Sequence, residues 1–161
     1  SAVLPLPRSL TTLDHRLTAA MARHGLTLLR LSLALVFLWF GVLKFFPGAS
    51  PASELASRTI ATVTGGLVAG RLALVLLASL DTAIGLGLLL GRPLRLILGL
   101  LWLQMAGAML PVVLFPGDVF QHAPLVPTLE GQYIIKNLVV ISAGLVLGAT
   151  VRDRTPPARR E

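Results

Sequence analysis

The chain has 161 residues, of which 55% are apolar and 13% are charged, and its mean hydropathy is +0.82. Soluble domains carry about 25% charged residues, so this composition argues against a water-soluble globule with a charged surface. The charges cluster at the termini and in short joints, which is typical of a polytopic membrane protein. Because the chain has no cysteine, it can form neither disulfides nor thiolate metal sites by itself.

The net charge of +7 comes from 14 Lys and Arg against 7 Asp and Glu. Such an excess is common in nucleic-acid-binding proteins. Here, however, the basic residues flank apolar spans and lack the interleaved aromatic residues that stack on bases. We therefore expect no nucleic-acid partner and interpret the basic flanks as topology signals and contacts with anionic lipids.

Four segments are long enough to cross a hydrocarbon core, which needs about 20 mostly apolar residues. These predicted spans are residues 25–46, 71–90, 94–115 and 131–149. The first span begins too late and is too long for a secretory signal peptide, so we expect it to stay in the mature protein. The sequence predicts an all-α integral membrane protein, a four-helix bundle that forms a single membrane domain over residues 1–161.

The positions of the arginines predict the orientation of the spans. With four spans, both termini lie on the same side as the joint between the second and third spans. That side receives Arg8, Arg16, Arg23, Arg30, Arg92, Arg95, Arg152, Arg154, Arg159 and Arg160, whereas the opposite loops hold Arg58 and Arg71. Because cytoplasmic segments are enriched in basic residues, we expect both termini to be cytoplasmic and residues 47–70 and 116–130 to lie outside.

The joints between the spans carry their own signals. Ser50 followed by Pro51 is a helix start signal, which predicts a short helix on the outer surface between the first two spans. The apolar residues that recur near one face of this helix are Leu55, Ile60 and Val63. Residues 91–93, Gly-Arg-Pro, predict a tight antiparallel hairpin between the second and third spans. The prolines of residues 116–130 predict an irregular loop.

One acidic residue lies deep inside a predicted span. Asp81 stands ten residues after Arg71 and eleven before Arg92, which places it about 15 Å from either surface. A short carboxylate cannot reach the lipid headgroups from that depth. We therefore expect Asp81 to point into the bundle and to be protonated or paired. Arg30, closer to its membrane surface, is long enough to reach the headgroups.

The chain has 12 arginines and 2 lysines, and both lysines fall within or at the edge of spans. Helix side chains lean toward the helix N-terminus. In the predicted orientation Lys44 therefore leans into the membrane from the outer edge and can meet Asp81 if the first two spans are neighbours. Lys136 leans toward the outer surface, where its expected companions are Glu130, Tyr133 and Asn137.

These polar residues permit two interpretations. In one, the lysines reach outer headgroups and Asp81 is a structural hydrogen-bonding group that pairs with Gln104. In the other, they line a pocket in the outer leaflet that accepts the polar head of an apolar molecule, such as a quinone or a lipid. The predicted lining is Lys44, Asp81, Gln104, Tyr133, Lys136 and Asn137. The sequence contains no recognisable catalytic set, and its three dispersed histidines predict no metal site.

Two stretches of the sequence have distinctive combinations of residues. In residues 30–47 an arginine opens the stretch, Gly41 lies three residues before Lys44, and aromatic residues surround that lysine. In residues 130–144 the pair Lys136-Asn137 precedes an apolar run. These stretches resemble the first and last helices of the DoxX-like family of membrane proteins. The resemblance extends over residues 26–150 in order and hydropathy, implies a four-helix protein of the bacterial inner membrane, and identifies the two lysines as motif residues.

The same resemblance implies a function. Some DoxX-like proteins are membrane subunits of quinone-linked oxidoreductases, and others are tied to resistance against oxidative or reactive-chlorine stress. We therefore expect a subunit that binds a lipoquinone or comparable amphiphile, with no covalently bound cofactor, beside a redox protein that supplies the haem, flavin or cluster. Membrane lipids and further copies of the chain are the other expected partners. The alternatives are a small proton-coupled transporter and a non-catalytic structural anchor or assembly subunit.

Overall fold

A computed structural model describes residues 8–46, 48–50 and 53–151, with side chains described from residue 13 onward. The described chain is mostly helical. In chain order its elements are α1 (Arg8–Leu43), α2 (Ser53–Val63), α3 (Gly70–Leu90), α4 (Leu94–Leu114), α5 (Pro116–Val119), β1 (Phe120–His122), β2 (Val126–Pro127) and α6 (Leu129–Ala149). Four of the helices, α1, α3, α4 and α6, are long and apolar enough to cross a membrane. The arginines of residues 152–160 and the Arg8 side chain, which entered the prediction of orientation, lie outside the described residues.

The first long helix differs most from its prediction. It begins at Arg8 rather than near Gly25, and it ends at Leu43, so Lys44 follows the helix instead of belonging to it. The described residues before Gly25 contain no proline, and a single glycine weakens a helix without ending it. At a rise of about 1.5 Å per residue, the 36 residues of α1 form a helix of about 54 Å. The helix is therefore longer than a hydrocarbon core of about 30 Å.

A helix is present at the place predicted between the first two spans. Leu55 of α2 is buried and Ile60 is half-buried, as their spacing predicts. The expectation for Val63 is wrong, since it is 61% exposed at the end of the helix, where the chain turns through glycines with positive φ. Thr59 is buried instead, because it lies one turn after Leu55, and its hydroxyl donates to the Leu55 carbonyl at 2.8 Å. The helix packs against α3 and α4.

The predicted hairpin between α3 and α4 is confirmed. Gly91 ends α3 in the left-handed conformation at φ 69°, and its N–H donates to the Gly87 carbonyl at 2.9 Å. A side chain at this position would be strained and would also meet the guanidinium of Arg30. Half-buried Arg30 therefore packs against this joint, in addition to any contact it makes with headgroups.

The prediction of an irregular loop over residues 116–130 is wrong. The segment contains α5, which Pro116 begins at a position where proline is favourable, followed by the antiparallel strands β1 and β2. Thr128 then ends the hairpin and caps α6. Its hydroxyl oxygen accepts from the Gly131 N–H at 3.0 Å and donates to the Asp118 carbonyl at 2.7 Å. This cap fixes the start of α6 at Leu129.

The four long helices pack in a definite order. The most extensive contact is between α1 and α3, and α4 packs against both α3 and α6. Small residues allow the close approach of α1 and α3, since a Cβ at Gly85 would lie 2.8 Å from the backbone nitrogen of Leu38. The main apolar cluster joins all four helices and includes Ala34, Phe37, Ile84, Leu88, Leu98, Leu101, Met105, Ala143 and Leu147.

Candidate functional site

A cavity of about 400 Å³ lies between the four long helices, with α2 along one side. Its apolar walls include Phe37, Phe40, Leu55, Met105, Pro111 and Ile134. Its polar lining includes Lys44, Asp81, Gln104, Tyr133, Lys136 and Asn137, together with Ser50 and Thr59. The structure therefore places all six residues of the predicted pocket around one space, although they come from the end of α1 and from three further helices.

The deepest polar feature of this cavity is an ion pair. Nζ of Lys44 lies 2.7 Å from Oδ2 of Asp81, and the two side chains are 17% and 4% exposed. The lysine follows the last turn of α1 and reaches back along it, since its Nζ also lies 3.5 Å from the Phe40 carbonyl. Asp81 is thus paired at mid-helix, and its charge is compensated by the neighbouring helix.

The approach of α1 to Asp81 depends on Gly41. A Cβ at that position would lie 3.0 Å from Cβ of Asp81 and 3.0 Å from the backbone nitrogen of Thr82. Because Gly41 has no side chain, α1 can lie directly against this part of α3 and bring Lys44 to the carboxylate. Sequence reasoning noted this glycine within a motif and gave it no structural role. The spacing of Gly41 and Lys44, one turn apart, was the available signal.

The second carboxylate oxygen of Asp81 has a different environment. Oδ1 is buried and has no hydrogen-bond partner within the described residues. Half-buried Gln104 lies next to the same carboxyl group from α4. Buried polar atoms are nearly always hydrogen-bonded in folded proteins, and the amide of Gln104 is a described donor beside this carboxyl group.

On α6, Lys136 and Tyr133 lie along the cavity one turn apart. Nζ of Lys136 lies 5.8 Å from the centroid of the Tyr133 ring. The expected contact with Glu130 is not an ion pair in the described structure, because six residues of helix put the two side chains on faces about 120° apart. Since Lys44 and Asp81 compensate each other, Lys136 supplies the uncompensated positive charge among the described cavity residues.

An ion pair and a cation–π contact connect α2 to the rest of the molecule beside the cavity. The Arg58 guanidinium donates to Asp118 at 2.8 Å and lies 4.6 Å from the centroid of the Phe115 ring. This contact joins α2 to the segment that begins after α4. Sequence reasoning missed it, because Arg58 and Asp118 are 60 residues apart and no local pattern connects them.

A second cavity of about 360 Å³ lies on another side of α2. Its lining is more polar and includes Lys44, Ser53, Glu54, Ser57, Arg58 and Arg71. Lys44 lines both cavities, whereas its partner Asp81 lines only the largely apolar cavity between the helices.

The described residues contain no group of three or more His, Asp or Glu side chains placed to hold a metal ion. Comparison with protein-family models, with curated proteins and with solved structures gives no match to this chain. The resemblance to DoxX-like proteins therefore stays a prediction from residues 30–47 and 130–144. The geometry of the cavity is the basis for assigning a function.

Proposed function

We propose that the protein is a membrane-embedded binding subunit of the DoxX-like type that holds the head of a lipoquinone or comparable amphiphile in the cavity between its long helices. One observation carries this proposal: helices of membrane-spanning length line a mostly apolar space whose wall includes the ion pair of half-buried Lys44 with buried Asp81, and an exposed Lys136 that has no ion-pair partner among the described residues. Pockets for small molecules have volumes of about 300–1,000 Å³, apolar walls and a few convergent polar groups.

The lining offers both kinds of contact that an amphiphile needs. The aromatic and aliphatic walls, with Phe37 and Met105 among them, suit a ring or an isoprenoid tail. Lys136 and Asn137 each carry hydrogen-bond donors for carbonyl oxygens of the head. The polar residues thus anchor the head, and burial of apolar surface supplies most of the binding free energy.

In this proposal the chain binds and positions its ligand but does not transfer electrons by itself. It has no cysteine, and its described residues form no cluster of metal ligands. A haem, flavin or iron–sulfur cluster would belong to a partner protein. We place the complex in a bacterial inner membrane, with both termini of this chain in the cytoplasm and the cavity toward the outer side.

Equilibrium binding of a short-chain benzoquinone to the purified protein in nanodiscs tests this proposal. We expect saturable binding that weakens about tenfold in the double variant Lys136→Gln/Asn137→Ala, since hydrogen bonds to charged groups contribute about 1.5–3 kcal/mol. Ser142→Ala is the matched control, because Ser142 is an exposed polar residue of the same helix whose hydroxyl bonds the Leu138 carbonyl. Equal affinity in all three proteins would contradict the pocket.

A small proton-coupled transporter is the second candidate. The observation that favours it is the position of Lys44, which lines both cavities and forms an ion pair with Asp81 of the first. Paired ionisable residues within a membrane are typical of proton relays. Flux into proteoliposomes that is lost in Asp81→Asn would support this function over simple binding, whereas absence of flux would remove it.

A further inference from the structure

The two oxygens of Asp81 are used unequally. Oδ2 accepts from Nζ of Lys44 at 2.7 Å, while Oδ1 is buried without a hydrogen-bond partner among the described residues. An ionised carboxylate has no proton to donate, so the partner that Oδ1 lacks must be a donor. The ion pair with Lys44 favours this acceptor-only form.

The surroundings of Asp81 offer few donors of their own. Gln104 is next to the carboxyl group and its amide is a donor for it, although it makes no hydrogen bond of ordinary geometry to Oδ1 in the described structure. Lys44 is already bonded to the other oxygen. Around them the cavity wall is mainly apolar, with Phe37, Leu77 and Met105. Apart from the Gln104 amide, a donor to Oδ1 therefore has to come from what occupies the cavity.

We infer that the occupant presents a hydroxyl group to Asp81 and that the cavity selects a quinol, the reduced form, over the corresponding quinone. This inference rests on the proposed function and adds the chemical form of the ligand. A quinone head offers only carbonyl oxygens, and a carbonyl oxygen cannot donate a hydrogen bond to Oδ1, because both atoms are acceptors. A quinol hydroxyl donates to Oδ1 once Gln104 turns aside. Sites that hydrogen-bond a hydroxyl discriminate strongly against analogues that lack it.

Selection of the reduced form has an electrochemical consequence. A ligand pair whose quinol binds more tightly than its quinone has a higher midpoint potential when bound than when free. For a two-electron couple, a tenfold ratio of the two dissociation constants corresponds to about 30 mV. A partner that oxidises the bound quinol would therefore meet a weaker reductant than the free membrane pool provides.

Anaerobic titration with three probes that share one alkyl tail tests the inference. The probes are a benzoquinone, its quinol and the dimethyl ether of that quinol. We expect the wild-type protein to bind the quinol about tenfold or more tightly than either of the others, since a hydrogen bond to a charged group contributes on that scale. In Asp81→Asn the amide oxygen faces Lys44 and the NH₂ group takes the place of Oδ1, so the preference should invert toward the quinone.

Two further variants make the result specific. Ser79→Ala is the control on the same helix, because Ser79 is exposed and bonds only the Val75 carbonyl in the described structure; it should keep the wild-type preference. Gln104→Leu removes the competing amide, and the preference for the quinol should persist. A preference lost in Gln104→Leu would assign the selectivity to that residue and overturn the role of Asp81.

The possible outcomes distinguish a failure of this inference from a failure of the proposed function. If no probe binds, the proposed function fails and the inference fails with it. If quinol and quinone bind equally to the wild-type protein, the cavity stands as a binding site and the inference alone is overturned. An unchanged quinol preference in Asp81→Asn overturns it as well. The comparison of quinol and quinone binding to the wild-type protein needs no variant. It therefore still tests the inference if Asp81→Asn does not fold.

Discussion

The close contact between α1 and Asp81 is possible because Gly41 has no Cβ atom. The added methyl group of alanine would lie 3.0 Å from Cβ of Asp81 and from the backbone of Thr82. Backbone atoms cannot rotate away, so α1 and α3 must move apart by a few tenths of an ångström. The ion pair between Lys44 and Asp81 depends on their closeness, and its geometry should change with it.

We expect Gly41→Ala to lower the free energy of unfolding by about 1–3 kcal/mol, the usual cost of overpacking. The control is Gly25→Ala in the same helix, because a Cβ there has nothing within 4 Å and alanine is the better helix former. Thermal or denaturant unfolding in detergent measures both. Equal stability of the two variants would show that α1 and α3 are not in close contact at Gly41.

The Lys44–Asp81 pair should behave as a buried pair rather than a surface one. Lys44→Met or Asp81→Leu alone leaves an uncompensated charge, and we expect each to cost about 3–5 kcal/mol. The double variant removes both charges and should recover most of that loss. A double-mutant cycle on unfolding free energies measures the coupling. Additive losses in the double variant would mean that the two groups do not interact.

For Asp81, one property could be predicted from the sequence and another could not. The depth of Asp81 follows from counting residues between Arg71 and Arg92, and its need for a partner follows from that depth. How Oδ1 is hydrogen-bonded does not follow, because it depends on the rotamer of Gln104 and on the distance between helices. The first property is local to one helix, whereas the second depends on three elements.

At the scale of elements, α6 begins where Thr128 caps it. The Thr128 hydroxyl accepts from the Gly131 N–H and also donates to the Asp118 carbonyl, so one side chain joins α6 to α5. Loss of both bonds should loosen the end of the helix that carries Tyr133 and Lys136.

We expect Thr128→Ala to lower the unfolding free energy by about 1 kcal/mol, as loss of a helix N-cap usually does. Thr62→Ala is the control, since Thr62 is exposed and bonds only the Arg58 carbonyl of its own helix in the described structure. Denaturant titration in detergent compares the two. A larger loss in Thr62→Ala would contradict the role of the cap.

The long helices were the most predictable elements. Apolar runs bounded by charges and by the Gly-Arg-Pro joint place α3, α4 and α6 within two residues of their predicted ends. The start of α1 was missed because residues 8–24 are polar enough to end a membrane span but contain nothing that ends a helix. The hairpin of β1 and β2 was missed because it pairs only short strands of two and three residues within a segment rich in proline.

At the scale of the whole molecule, the orientation of the spans is the prediction most open to direct measurement. The chain has no cysteine, so each introduced cysteine is the only thiol. We expect Leu67→Cys and Leu125→Cys, whose native side chains are both 86% exposed, to react with a membrane-impermeant maleimide in intact spheroplasts. Leu17→Cys and Arg92→Cys should react only after permeabilisation. The reverse pattern would place both termini outside.

The cavity depends on how the helices of the whole molecule pack together. Its polar residues were predictable one by one as costly groups inside spans. Their meeting around one space was only an expectation, since Lys44 and Asp81 are 37 residues apart and depend on α1 packing beside α3. The contribution of α2 to the wall, through Leu55 and Thr59, needs the three-dimensional arrangement.

Photo-crosslinking in nanodiscs tests the central claim, that an amphiphile occupies this cavity, most directly. A benzoquinone with a diazirine on its ring should label peptides that contain buried cavity residues such as Met105 and Ile134, and excess unlabelled benzoquinone should abolish the labelling. Labelling confined to outward-facing Leu103 and Val139, which are 65% and 71% exposed, and insensitive to the competitor would contradict the account.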